Sequence, residues 1–237
     1  MLFIKKFLKL IKFIYLRKTG LFYNKFQDEL YNFQQNYLRG SYKEIKSRQN
    51  EYIPFVQSLP LNIKNKNYFL DVGCGRGEFL EILKEIKIKK IIGIDTNKES
   101  VIRLQKKSFN VKKIDVLKYL YLTENKFCGI SAFHIIEHLT FKQLFDFLIL
   151  ARDTLVKGGV LILETPNIEN IIVSSLTFNY DHTHKLKVPK IIIQMLLEYI
   201  GFSKIKFLYL HPAKKSNKTQ VDKLIYGARD LGIIAYK

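Results

Sequence analysis

The chain of 237 residues has no stretch approaching 18 uncharged apolar residues, and that absence excludes a helix crossing a lipid bilayer. Cysteine is scarce. Cys74 and Cys128 have neither the spacing of a metal site nor the density of a disulfide scaffold, so a reducing cytoplasm is the expected setting. Acids are outnumbered, 21 against 40 basic residues, and a net charge of +19 invites a nucleic-acid reading. The lysines, however, are scattered through Ile- and Asn-rich sequence rather than gathered in a patch. Nucleic acid is therefore not the expected partner, and an anionic membrane surface or an acidic substrate fits better.

Two phosphate-binding signatures are missing as well. There is no GxxxxGK[ST] loop, and the glycines of Gly73-Cys74-Gly75-Arg76-Gly77 read GxGxG where the dinucleotide fingerprint needs GxGxxG. What is present is a short apolar run, Tyr68 to Val72, that meets these glycines and passes at once into helical spacing from Glu78 to Ile86. Strand, tight loop and helix follow one another. Glycines there can take positive φ and bring backbone N–H groups close to a ligand. Asp71 sits just before the loop. A second run, Lys90 to Ile94, ends in Asp95, where a carboxylate can accept both hydroxyls of a ribose.

An acid before GxGxG and another ending the next strand resemble the class I S-adenosylmethionine (SAM) methyltransferases. The remaining pattern agrees. Residues 98–108 read as a helix, 111–114 as a strand, 117–122 as a helix, 129–133 as a strand and 141–155 as a helix stopped at Gly158-Gly159. A strand over 160–164, an irregular stretch over 168–188, a helix over 189–200, and strands over 205–210 and 231–236 around a lysine-rich loop at 213–223 complete the chain. Such alternation predicts an α/β fold with a doubly wound, mainly parallel sheet, seven-stranded and Rossmann-like, whose last two strands allow an antiparallel edge. Upstream, residues 30–59 read as helical with a break at Arg39-Gly40-Ser41 and a stop at Pro54, and 60–67 as a loop. Three segments are expected: 1–29 basic and amphipathic, 30–67 a helical cap, and 68–237 the SAM-dependent domain.

Residues 1–26 carry seven basic residues and no acid. Lys5, Lys9 and Lys12 form a stripe beside Phe3, Leu8, Leu10, Ile11 and Ile14. A basic amphipathic helix on anionic lipid is one reading, and a helix packed on its own domain or a partner is the other. The first implies a cytoplasmic protein at the inner face of the inner membrane.

Further motifs narrow the resemblance. Arg39-Gly-Ser with Ile45, Lys46 and Arg48, the Asp71 loop, Phe133-His134-Ile-Ile-Glu137-His138-Leu139, Glu164-Thr-Pro-Asn167, Asp181-His-Thr-His184, and Tyr226-Gly227 with Asp230 are similar to successive motifs of the bacterial surface-polysaccharide (capsule, lipopolysaccharide O-antigen) methyltransferases. The pattern is similar to that of the methyltransferase domain of the O-antigen chain-terminating kinase/methyltransferase. Two positions depart from that family: Asp181-His182-Thr183-His184 replaces Asp-Pro-Thr-His, and Leu231-Gly232 replaces Tyr-Ala. The resemblance implies SAM as cofactor, S-adenosyl-L-homocysteine as product, and a carbohydrate or phosphorylated carbohydrate as acceptor. It assigns Asp71, Gly73, Cys74, Gly75 and Gly77 to the methionine part, Asp95 and Thr96 to the ribose, Asp115 and Val116 to the adenine edge, and Phe133 and His134 to the strand end. Arg48 and Tyr52 would lie across the cofactor mouth.

His134-Ile-Ile-Glu137-His138 also matches HxxEH, in which two histidines on a helix hold zinc. Its place after a strand, in a chain that already has a cofactor loop, argues against a protease, and no metal is assigned. For methyl transfer, His134, Glu137, Asp181 and His184 are the catalytic candidates. A sugar hydroxyl would need a base, which a histidine supplies; a phosphoryl oxygen would need cations, for which Arg48, Arg76 and His184 stand ready.

Overall fold

The computed structural model describes residues 2–20, 26, 29–30, 33–34, 37–213 and 219–237. They divide into two compact units, Met1–Ser41 and Tyr42–Lys237, so the segment 30–67 expected as one cap lies on both sides of the boundary. In the first unit, helix α1 spans Leu2–Thr19. Its residues 6–15 are all exposed, Phe7, Leu8, Leu10, Ile11, Phe13, Ile14 and Tyr15 among them. Among the described residues no helix is long and apolar enough to cross a membrane.

The second unit opens with α2 (Tyr42–Gln49), a 3-10 turn (Asn50–Tyr52), α3 (Ile53–Gln57) and α4 (Leu61–Lys66). Pro54 does not stop a helix here but sits in the first turn of α3, where its missing N–H costs nothing. The expected loop over 60–67 is likewise a helix, because Pro60 takes the N-cap position and presets its entry. Then come β1 (Tyr68–Val72), α5 (Glu78–Glu85), β2 (Ile91–Asp95), α6 (Lys98–Lys106), β3 (Val111–Lys113), α7 (Val116–Leu122), β4 (Phe127–Phe133) and α8 (Phe141–Thr154). Strand β5 (Leu155–Pro166) starts five residues earlier than the sequence suggests. Gly158, at φ 78°, bends within the strand and does not end the helix before it. After it follow α9 (Ile171–Ser175), α10 (Lys190–Ile200), β6 (Ser203–Leu210), α11 (Gln220–Tyr226) and β7 (Asp230–Tyr236). Helix α11 occupies part of the stretch read as a loop; Thr219 and Asp222 close a capping box at its start.

The seven strands form one sheet in the order β3-β2-β1-β4-β5-β7-β6. Pairing is parallel from β3 to β5, and β7 runs antiparallel between β5 and β6. Strand order reverses between β1 and β4, so the crevice for a ligand opens at the carboxyl ends of these two strands.

Alternation along the strands sorts the two faces. Leu70, Val72, Ile130, Ala132, Leu161, Leu163, Ile233 and Ala235 share one buried cluster with Leu144, Phe147 and Leu148 of α8. On the other face Phe69, Val160, Ile162 and Ile234 meet Tyr52, Val56, Phe79, Ile82 and Leu83. The same alternation assigns Asp71, Ser131, Phe133 and Glu164 to this second face, which is how polar groups come to be buried beside an aromatic core.

Candidate active site

The glycine loop after β1 is left-handed at each glycine, with φ 63° at Gly73, 50° at Gly75 and 90° at Gly77. Its first glycine is also imposed by packing: a Cβ on Gly73 would lie 2.1 Å from Ile135 Cδ1. That contact sets the loop against the segment carrying His134 and Glu137. Asp95 closes the loop from below, Oδ2 accepting from Gly75 N at 2.8 Å and Oδ1 from Asn97 N at 2.7 Å. An ionised carboxylate has about four acceptor sites, enough to hold both backbone groups and receive two ribose hydroxyls as well. Thr96 beside it is exposed. Asp71 is buried at the end of β1 and accepts from Ser131 Oγ at 2.7 Å. Cys74 is buried, and burial, together with the charges of Asp71 and Asp95, pushes its thiol well above the ordinary value. At the end of β3, Asp115 is exposed and caps α7 by accepting from Lys118 N at 3.1 Å, while Val116 is buried in the core.

Phe133 ends β4 between Tyr52 and Phe79, with ring centroids 5.0 and 4.7 Å away. His134 follows in a left-handed conformation, φ 54°, its N–H bonded to Glu164 O at 2.8 Å. A residue with a Cβ held there costs about 1–3 kcal/mol. The turn aims the imidazole at three acids: Nδ1 lies 3.1 Å from Glu137 Oε1, Nε2 3.1 Å from Glu164 Oε1 and 3.8 Å from Asp230 Oδ1. Burial alone would lower the pKa of this ring, but its bonds to Glu137 and Glu164 and the Asp230 charge raise it well above the usual value. Burial raises both glutamates in turn, and the bonds to His134 bring them below the usual carboxylate value. With a carboxylate oxygen beside each nitrogen, this ring is set to hold a hydrogen on both and to donate from both.

Tyr52, expected across the cofactor mouth, is instead fully buried and donates its hydroxyl to Glu164 Oε2. Burial and the Glu164 charge push its phenol far up, so it remains a donor. Gly232 makes room for it; a Cβ there would sit 2.7 Å from the hydroxyl, which gives the departure at this position a physical reason. Tyr52→Phe leaves a buried carboxylate short of one donor and should cost about 1–3 kcal/mol of stability by urea unfolding. A change under about 0.5 kcal/mol would mean that Glu164 finds another donor.

A second corner adjoins the first through Glu137. His184 Nδ1 lies 2.7 Å from Phe178 O, which can only accept, so Nδ1 carries the hydrogen; Nε2 lies 3.9 Å from Glu137 Oε1. Thr183 Oγ1 donates to Asp181 Oδ1 at 2.6 Å and therefore accepts from His138 Nδ1 at 2.8 Å. Burial lowers the His138 pKa, more than the Glu137 charge raises it. Asp181 is raised by burial but brought below its usual value by its two bonds from Thr183. The HxxEH histidines are not one face of a helix: His134 follows the end of β4, Ile136–His138 is a 3-10 turn, and the two rings belong to different clusters. Arg76 pairs with the buried Glu78 at 2.7 Å, and Arg48 is exposed on α2.

A family model described as "Methyltransferase domain" matches residues 45–196. A solved SAM-dependent methyltransferase from Archaeoglobus fulgidus is 30% identical, with a TM-score of 0.77 over 87% of this chain and 99% of that one. The chain belongs to the SAM-dependent methyltransferases. Two further solved methyltransferases share the fold. One, from Clostridium acetobutylicum, is 16% identical with TM-score 0.63, covering 90% of this chain and 98% of that one; the other, from Thermotoga maritima, is 19% identical with TM-score 0.62, covering 91% and 99%. No curated protein matches by sequence. SAM is the cofactor, and this methyltransferase fits it on its own residues: Gly73, Gly75 and Gly77 offer Cβ-free backbone, and Asp95 offers the carboxylate a ribose needs.

Ser131, Thr165, Asp230 and His211 join the site without having been expected there from the sequence. Thr165 Oγ1 donates to Glu137 Oε2 at 3.1 Å, and His211 Nδ1 to Asp230 Oδ2 at 2.7 Å. A readable signal existed for one partner: Glu164 ends an otherwise apolar strand, and a buried acid there must be paired.

Proposed function

We propose that this methyltransferase transfers the methyl group to a hydroxyl oxygen of a carbohydrate, a component of a bacterial surface polysaccharide or its precursor. One observation carries the choice of a hydroxyl over a phosphoryl group: three carboxylates, Glu137, Glu164 and Asp230, surround the single imidazolium of His134. Such a site repels a phosphate dianion and accepts hydrogen bonds from a polyol. The two arginines that could have held a phosphate point to other tasks, one on Glu78 and one on the surface. The saccharide class rests on the run of motifs from Arg39 to Asp230.

SAM supplies a methyl carbon on a sulfonium whose sulfur departs with the C–S electron pair. The protein's own part is alignment of the acceptor and management of its proton. His184 keeps a lone pair on Nε2, because Nδ1–H is tied to the Phe178 carbonyl. It faces Glu137, and the acceptor oxygen docks at this corner. Asp181 acts as a positioning residue through Thr183 and His138. Incubating the enzyme with methyl-labelled SAM and surface-glycan or nucleotide-sugar extracts should give a product labelled on a ring or chain hydroxyl. A methyl on phosphate, or on nitrogen, overturns the reading.

Helix α1 supports a place for the reaction at an anionic membrane surface, on its cytoplasmic side. On a helical projection Phe7, Leu8, Leu10, Ile11, Ile14 and Tyr15 share one broad arc and Lys9 and Lys12 face away from it. Apolar burial and attraction to anionic headgroups would act together. Deleting residues 1–26 should abolish sedimentation with phosphatidylglycerol vesicles and leave SAM affinity intact. Undiminished sedimentation of the shortened protein would place the lipid contact elsewhere.

A further inference from the structure

His138 and His184 are fixed in a way that their packing does not require. Each ring gives its Nδ1 hydrogen to an acceptor, His184 to a backbone carbonyl at 2.7 Å and His138 to a hydroxyl at 2.8 Å that is itself anchored on Asp181. Both therefore keep their lone pair on Nε2. The rings meet edge to face with centroids 4.8 Å apart. Together with the ionised, buried Glu137 they form a half-enclosed, electron-rich corner in which one coordinating atom of each residue lies within 4.8 Å of the others. Anchoring the outer nitrogen of an imidazole to a carbonyl or a carboxylate-backed group is how proteins orient metal-binding histidines and keep them neutral. The neighbouring trio of His134, Glu164 and Asp230 is equally close-set but lacks this property, since both nitrogens of His134 carry hydrogen.

We propose that Glu137, His138 and His184 form a site for one divalent transition-metal cation, with its remaining positions open to acceptor oxygens. Two imidazole nitrogens and one carboxylate suit the borderline ions Mn2+, Fe2+, Co2+, Ni2+ and Zn2+, and poorly suit Ca2+. Ligands about 2.0–2.2 Å from such an ion lie about 3.0–3.6 Å apart at tetrahedral or cis angles, so side-chain shifts of about 1 Å close the corner. The cation would take the Nε2 lone pair of His184, and would itself hold and acidify the acceptor oxygen at the place the proposed function gives it. The inference rests on that reading only for what fills the open positions, and binding of the ion itself can be measured without SAM or acceptor.

The full chain, freed of metal with a chelator, is titrated with Co2+ and followed by visible absorption, with calorimetry of Mn2+ in parallel. One equivalent with a ligand-field band is expected. His138→Ala and His184→Ala should each lose the band, while His182→Asn, at an exposed histidine in the same turn, should keep it. Thr183→Val leaves all three ligands but removes the acceptor of His138 Nδ1–H, and should weaken binding about 10- to 100-fold. Circular dichroism checks that each variant is folded, and if an alanine variant is not, Glu137→Gln serves in its place. Absence of Co2+ and Mn2+ binding at millimolar concentration, or binding that survives His138→Ala and His184→Ala, overturns the site. Hydroxyl methylation that continues in chelator with no metal bound would sink the cation and leave the proposed function standing; a metal bound here with methyl delivered to nitrogen would do the reverse.

Discussion

His184→Asn is expected to cut turnover by about 10² to 10⁴ while leaving SAM affinity within about twofold. The asparagine amide can still donate to the Phe178 carbonyl, so the turn from Asp181 to Val188 keeps its anchor, but nothing replaces Nε2 opposite Glu137. The loss therefore reports the acceptor end of the site alone. Single-turnover rates with saturating SAM, beside calorimetric SAM binding, make the measurement. Near-normal turnover would reduce His184 to an aromatic contact between Phe178 and His138, whose ring centroids lie 4.6 and 4.8 Å away.

Asp95→Ala should act at the other end, weakening SAM by about 10² or more, since each hydrogen bond to a charged group contributes about 1.5–3 kcal/mol. Two effects combine. The ribose loses its acceptor, and the glycine loop loses the carboxylate that holds Gly75 N and Asn97 N. Asp95→Asn separates them, because the amide oxygen can keep one backbone bond while the charge is gone; it should fall between wild type and alanine. Binding by Asp95→Ala within about threefold of wild type would move the ribose to another group.

The glycine loop, the acids at the ends of β1 and β2 and the order of strands and helices were legible because each is local: alternation, helical spacing and a glycine triplet act within ten residues of one another. Boundaries failed where a residue has two uses. Pro54 and Pro60 can stop a helix or start one, and a glycine pair such as 158–159 can stop a helix or, as here, lie inside a strand, β5. The site was half legible for a different reason. His134, Glu137, Asp181 and His184 were visible as residue types with suitable chemistry, but their protonation depends on partners far away in sequence. Glu164 lies 30 residues after His134, and Tyr52 lies 112 residues before Glu164. No local pattern shows that His134 will be doubly hydrogen-bonded to acids and hence charged.

The insertion of β7 between β5 and β6 has a consequence for how the protein comes into being on the ribosome. Among the described residues strand β6 pairs in the sheet with β7 alone, and Asp230, which stands beside His134 and holds His211, is the first residue of β7. The glycine loop and Asp95, which fit the cofactor, are translated by residue 95, so a nascent chain can shape this loop early. The acid cluster cannot assemble until translation has passed residue 236 and the last strand has slotted in. A ribosome stalled, or a message cut, within β7 would yield a chain with a cofactor loop but no finished acid cluster, and with the backbone of β5 open to strand pairing with other chains.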